Sequence, residues 1–271
     1  MSISKLDNLA RMYAFEHLGE TREAVINGLK EIKEFINSDE VLKKIKISEI
    51  VIMYFLRSNK FRIERAKKKI KSYYVYRMDI SEWFSNRDPF LPTISELLEL
   101  GVFLPVIEKD ECNRQIVILR VAAHNPKIHN QNDVMKVSLM VLDWLIYNDE
   151  LTSVYGTRAI FDMKNVQLGH ALQMTPTIIM RAVQSMESYP TRIQQLYFVN
   201  AHKSINVILD IFKKFMSQKL KNRIIVSKNN PEFNANDHLP IDLGGTNRSY
   251  KELSIYWKNK LENNHLWFRE N

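Results

Sequence analysis

The hydrophobic period of this chain changes once, after Asp88-Pro89, and that change restricts its architecture more than any single motif. Before it, apolar residues recur every three or four positions: Leu9, Met12, Tyr13 and Phe15, then Val25, Leu29, Ile32, Phe35 and Ile36. A helix gathers such positions on one face. The same period runs through 47–57 and 63–76, with the polar bend Ser58-Asn59-Lys60 between them. Residues 1–85 are therefore expected to form a helical bundle.

After Pro89 the runs QIVILRVA (115–122), RAIFDM (158–163), LYFVN (196–200) and RIIV (223–226) have strand length and β-branched or aromatic content. Helical stretches at 133–147, 177–188 and 205–220 separate them. A strand that returns through a helix pairs in parallel, because the crossover brings the chain back to the same end of the sheet. The expected fold class is α/β: an N-terminal helical bundle, then a mainly parallel β-sheet cage flanked by helices over 86–246. A helical tail over 247–271 carries Tyr250, Leu253, Tyr256, Trp257 and Leu261 at helical spacing. Asn132-Asp133 and Thr175-Pro176 read as helix starts, and Gly244-Gly245 as a closing turn.

Enzymatic motifs are missing where this architecture would carry them. A phosphate-binding loop needs glycines so that backbone amides can approach the anion; neither GxGxxG nor GxxxxGK[ST] occurs, and Gly244-Gly245-Thr246 precedes only polar sequence. The seven histidines form no HExxH pattern, so no metal site is expected, and His124 and His129 read as solvated or capping groups. His170 has no GxSxG nucleophile beside it and reads as structural. No catalytic residue, metal or cofactor is expected, and the chain is read as something other than an enzyme.

The single cysteine, Cys112, cannot support a disulfide framework and points to a reducing compartment. The first residues lack the apolar stretch of a signal peptide, and no charge-free run approaches the ~20 residues of a spanning helix. A cytoplasmic protein touching membranes only transiently is the expectation. Its net charge of +8 favours an anionic partner. Nucleic acid is disfavoured, because the basic residues fall in dispersed helices such as RAKKKIKSYY, where a solvated face suffices. Lys213, Lys214, Lys219, Lys221 and Arg223 instead cluster beside the apolar face Ile205, Val207, Ile208, Ile211, Phe212, Phe215 and Met216, the pattern of a helix that can lie on an anionic membrane.

Several segments, in order, resemble the CRAL-TRIO lipid-binding family, and within it the α-tocopherol transfer and cellular retinaldehyde-binding branch. FLRSNKF (55–61) and ERAKKKIKSYY (64–74) resemble its N-terminal helical signature; VSLM (137–140), AIFDM (159–163), Gln167, His170 and MTP (174–176) resemble its pocket region. SYPTRIQQLYFVN (188–200), KKFMSQKLKNRI (213–224) and LP-x-x-x-GG ending at Gly245 complete the series. The resemblance implies a cage around one hydrophobic ligand, closed by a mobile amphipathic lid helix at 204–220. It places Val134, Met135, Ser138, Leu142, Phe161, Met163, Leu168, Met174, Ile178, Tyr189 and Ile211 along the wall. It also implies a phosphoinositide-binding patch at Arg192, Lys219 and Arg223, with Lys221 close by and Lys60 standing in beside Asn59. Thr191 and Leu220 stand where the family's phosphatidylinositol carriers have an acidic residue and a hydroxyl, so a tocopherol-, retinoid- or carotenoid-like cargo is expected. The alternative is a non-transferring lipid-sensing or protein-interaction adaptor.

Overall fold

Asp7 Oδ1 accepts from the amide of Ala10 at 2.7 Å and starts α1 (Asn8–Tyr13), which continues as a π-helical turn to Gly19, left-handed at φ 76°. The structure, a computed structural model, describes residues 6–201, 205–228 and 238–270. Thr21 and Ser48 cap α2 (Arg22–Ser38) and α3 (Glu49–Ser58) by accepting from amides three residues on. After the turn at Asn59–Phe61, α4 (Ile63–Asp79) packs against α2 and α3, as the bundle expectation required. Two further helices, α5 (Ser81–Phe84) and α6 (Pro92–Leu100), lead to the sheet.

The sheet has five strands in sequential order: β1 (Phe103–Pro105), β2 (Gln115–Arg120), β3 (Thr157–Asp162), β4 (Ile193–Val199) and β5 (Ile224–Val226). The hairpin partner β1 is antiparallel to β2, and the other pairs are parallel. Between β2 and β3 run α7 (Gln131–Asn148) and α8 (Leu151–Tyr155); between β3 and β4, α9 (Leu168–Gln173) and α10 (Pro176–Ser188). All six residues of β3 are buried, as a strand enclosed on both faces demands.

Helices α6 and α7 pack together, and with α13 (Tyr250–Glu262) they lie beside β1, where Trp257 Nε1 donates to the Pro105 carbonyl at 2.7 Å. A last helix, α14 (His265–Glu270), folds Trp267 against Trp144. On the other side α3 packs on α8, and α4 on α10. One buried apolar cluster runs from Ile32 in the bundle through the sheet to Phe268.

The structure corrects three local expectations. The α7 cap is Asn130, whose Oδ1 accepts from the Asn132 amide at 2.8 Å, so the helix starts two residues early. The stretch 205–220 is two helices, α11 (Ile205–Phe215) and α12 (Gln218–Lys221), divided where Ser217 caps the second; Ser204, the expected start of the lid, lies outside the described residues. His124 and His129 are buried rather than solvated, and His129 takes the capping alternative: its Nδ1 accepts from the Asn125 amide, while His170 Nε2 meets the His124 carbonyl at 3.0 Å. Among the described residues no helix is long and apolar enough to cross a membrane.

Candidate functional site

Val134, Phe161 and Met163 are buried, while Met135, Leu142, Met174, Ile178 and Ile211 are half-buried and packed against the core. They come from α7, β3 and its following loop, the α9–α10 junction and α11. Phe161 stacks on Phe198 of the adjacent strand with ring centroids 4.5 Å apart. Helix α11 packs on α10 and buries Leu209 and Phe212, with Met216 buried just beyond its end; Phe215 is partly exposed. Ser138, deep in α7, donates its hydroxyl to the Val134 carbonyl at 2.8 Å. Its oxygen lone pairs can still accept.

Two expected wall residues sit elsewhere. Leu168 is 74% exposed on α9, because the other side of that short helix is pinned to the loop before α7 through His170. Tyr189 is buried, but its ring packs edge-on against Tyr73 of α4, 5.2 Å between centroids. With Tyr54, Tyr73 and Asp143 it borders a cavity of only about 10 Å³, at the seam between bundle and sheet. Arg77 and Arg87 donate to Asp143 at 2.7 and 2.6 Å. Burial pushes the Asp143 carboxyl up, and the two guanidinium groups outweigh that and hold it below the usual carboxylate range.

A far larger space, an open groove of about 1200 Å³, lies between the bundle and the foot of α11–α12. Lys60, Arg192, Lys219 and Arg223 all line it. Lys60 is held in the left-handed conformation, φ 52°, while Asn59 Nδ2 is spent on the Phe55 carbonyl, 2.8 Å away, closing the end of α3. Lys221 is not among the lining residues. At 100° per residue, position 221 falls on the opposite side of the α12 turn from 219, while Arg223 lies beyond the helix, just before β5.

The same groove is lined by Arg62, which precedes α4, and by Arg65, Lys68 and Lys69 of α4, which the sequence pattern places on a solvated face. Lys67 and Lys71, on another side of α4, pair with Glu31 and Asp39 of the α2 region. Arg65, Lys68 and Lys69 have no carboxylate partner among the described residues. The charges repel one another: desolvation first, then Arg223, Arg65, Arg192 and Lys60, lower the Lys219 pKa, and desolvation with Arg192 lowers that of Arg223. Such a surface favours an anion. Among the described residues no cluster of His, Cys, Asp or Glu is arranged to hold a metal ion.

Comparison with known proteins places these features in company. The family described as CRAL/TRIO domain matches residues 101–245, and that described as Pinta-like, UBA domain matches 21–94. Clavesin-1 of Xenopus laevis is 27% identical over 235 residues, covering 84% of this chain and 70% of the relative. Clavesin-1 of Rattus norvegicus is 27% identical over 240 residues, 84% and 66% of the two chains. Clavesin-2 of Homo sapiens is 24% identical over 214 residues, 79% and 65%. The chain thus spans about two thirds of the length of these relatives. The crystal structure of Sfh5 aligns with a TM-score of 0.48 at 15% identity, covering 84% of this chain and 83% of that one.

Proposed function

The chain belongs to the CRAL/TRIO domain family, and from that premise we propose that it is a lipid carrier. It encloses one apolar molecule beneath α11 and exchanges it at phosphoinositide-containing membranes when α11 and α12 move. The observation that carries this reading is the basic groove at the foot of those two helices: Lys219 of α12 and Arg223 just beyond it line the groove together with the basic residues of α4. A headgroup drawn into the groove would pull on the segment that covers the cargo. Arg can grip phosphate through two parallel hydrogen bonds, and Lys adds point charge.

The cargo is proposed to be of low polarity, in the manner of a tocopherol, retinoid or carotenoid. Half-buried Met135, Met174, Ile178 and Ile211 offer flexible apolar wall, and methionine adapts to irregular shapes. Ser138, already donating to its own helix, is suited to accept from one ligand hydroxyl. Leu142, one turn on, adds no second polar contact. The protein acts in this reading as a carrier with no reaction of its own, meeting the bilayer only peripherally.

The test joins native mass spectrometry and organic extraction of the purified protein with sedimentation on phosphatidylcholine vesicles containing or lacking phosphatidylinositol bisphosphate. One apolar molecule per chain, and binding that requires the bisphosphate, is the expected result. Lys219→Ala with Arg223→Ala should weaken binding roughly thirtyfold, at about 1 kcal/mol for each charge near the surface, and leave cargo content unchanged. A chain that carries no lipid and accepts none would sink the carrier reading and favour an adaptor.

A further inference from the structure

Lys69 does not sit in the groove as its basic neighbours do. Arg62 before α4 and Arg65 and Lys68 on it are exposed, whereas Lys69 is half-buried and its ammonium reaches across the seam to the Thr191 carbonyl, 3.3 Å away. That is its one hydrogen bond among the described residues. Thr191 borders the same groove, is only 6% exposed, and its buried hydroxyl has no hydrogen-bond partner among the described residues. An orphaned hydroxyl beside an under-coordinated amine describes a place prepared for an acceptor.

The charges around Lys69 come from several elements of the groove wall. Lys219 and Arg223, from α12 and just beyond it, act directly on the amine; Arg192 at the start of β4, Lys60 in the turn before α4 and Arg65 one turn back on α4 line the same groove. Helix α10 supplies Arg181 and one carboxylate, Glu187, whose Oε1 is engaged by the Ser217 amide at 2.9 Å. Asp79 borders the far end of the groove. The balance leaves the amine among cations and short of counter-charge.

We propose that Lys69 is an anion-contacting residue whose charge is switched on by the occupant, so that filling the groove takes up a proton. The inference rests on the reading of the groove as a headgroup site. Burial lowers the Lys69 pKa to about 7, with Lys219 and Arg223 adding to the effect and Glu187 opposing it. An anion restores the missing counter-charge and raises that pKa, and by linkage the proton bound on filling makes affinity fall as pH rises above neutral. The group that grips the headgroup thereby also reads the pH of the solution beside the membrane. Arg192, Arg223 and Arg65 supply the part of the attraction that does not depend on Lys69.

The probe should not titrate itself, which excludes phosphate esters. Inositol hexasulfate keeps its charge across this range and can be titrated calorimetrically into the full chain in two buffers of different ionisation enthalpy. The expected uptake is about half a proton at pH 7 and close to one at pH 8. In Lys69→Met, which keeps the buried stem, this share of the uptake should vanish and affinity should become flatter between pH 7 and 8.5. Lys69→Arg should bind at least as well as the parent without the uptake. Equal uptake in the parent and Lys69→Met overturns the proposal alone and leaves the headgroup reading standing. If the parent binds neither the hexasulfate nor bisphosphate-containing vesicles, the headgroup reading itself falls, and this one with it.

Discussion

At the scale of residues, the sharpest local tension is in the three-histidine cluster beside α9. The His124 ring lies 4.9 Å from that of His170 and 6.3 Å from that of His129, and all three residues are buried. Burial first, then the repulsion of His170 and His129, pushes the His124 pKa down to about 4, with Gln173 pulling the other way. In the unfolded chain the same imidazole titrates near 6.5. As pH falls from about 6.5 toward 4, the unfolded state takes a proton that the folded state refuses, so stability is lost across that window. Urea midpoints should therefore drop between pH 7 and pH 5, before the carboxylates begin to protonate. His124→Gln should flatten this part of the profile, and an unaltered profile would place the proton elsewhere.

At the scale of elements, helix–strand alternation was legible because each long segment carries its own period. All four strand runs appear in the sheet, and α2, α3, α4, α7 and α10 lie where the spacing of apolar residues put them. What escaped were pieces too short to hold a period, such as the three-residue β1 and the five-residue α8. The basic wall of α4 escaped for a different reason. Whether a lysine on RAKKKIKSYY is paired depends on Glu31 and Asp39, contributed from another helix, and sequence spacing does not show which face they meet. The α8–β3 junction shows how tightly such positions are set. Gly156 adopts φ 86°, and a Cβ there would stand 2.3 Å from the Arg192 carbonyl oxygen, the atom that accepts from the Thr157 amide to open the β3–β4 ladder. Gly156→Ala should cost roughly 2–4 kcal/mol in urea unfolding. It should also weaken vesicle binding with no charge altered, because Arg192 moves with the strand start.

At the scale of the whole molecule, bundle and sheet are joined by apolar contact and by buried charge, and the two joints have different consequences. Arg57, 2% exposed, donates from Nε and Nη2 to both oxygens of Glu20 at 2.7 Å, and from Nη1 to Glu150 at 2.8 Å. It thereby fastens the end of α3 to the approach to α2 and to the start of α8. Arg57→Met keeps most of the volume but strands two carboxylates. These are not sealed from water, their side chains being 16% and 19% exposed, so the loss should fall at the low end of the range for a broken buried pair, about 3 kcal/mol. Adding Glu20→Gln and Glu150→Gln should recover part of it by removing the stranded charge. The apolar cluster from Ile32 to Phe268 is untouched by these changes and continuous across the seam. Unfolding of Arg57→Met in urea should therefore remain a single transition, with a lowered midpoint and an unchanged slope. A second transition would mean that the buried charges, rather than the shared core, make the two parts fold as one.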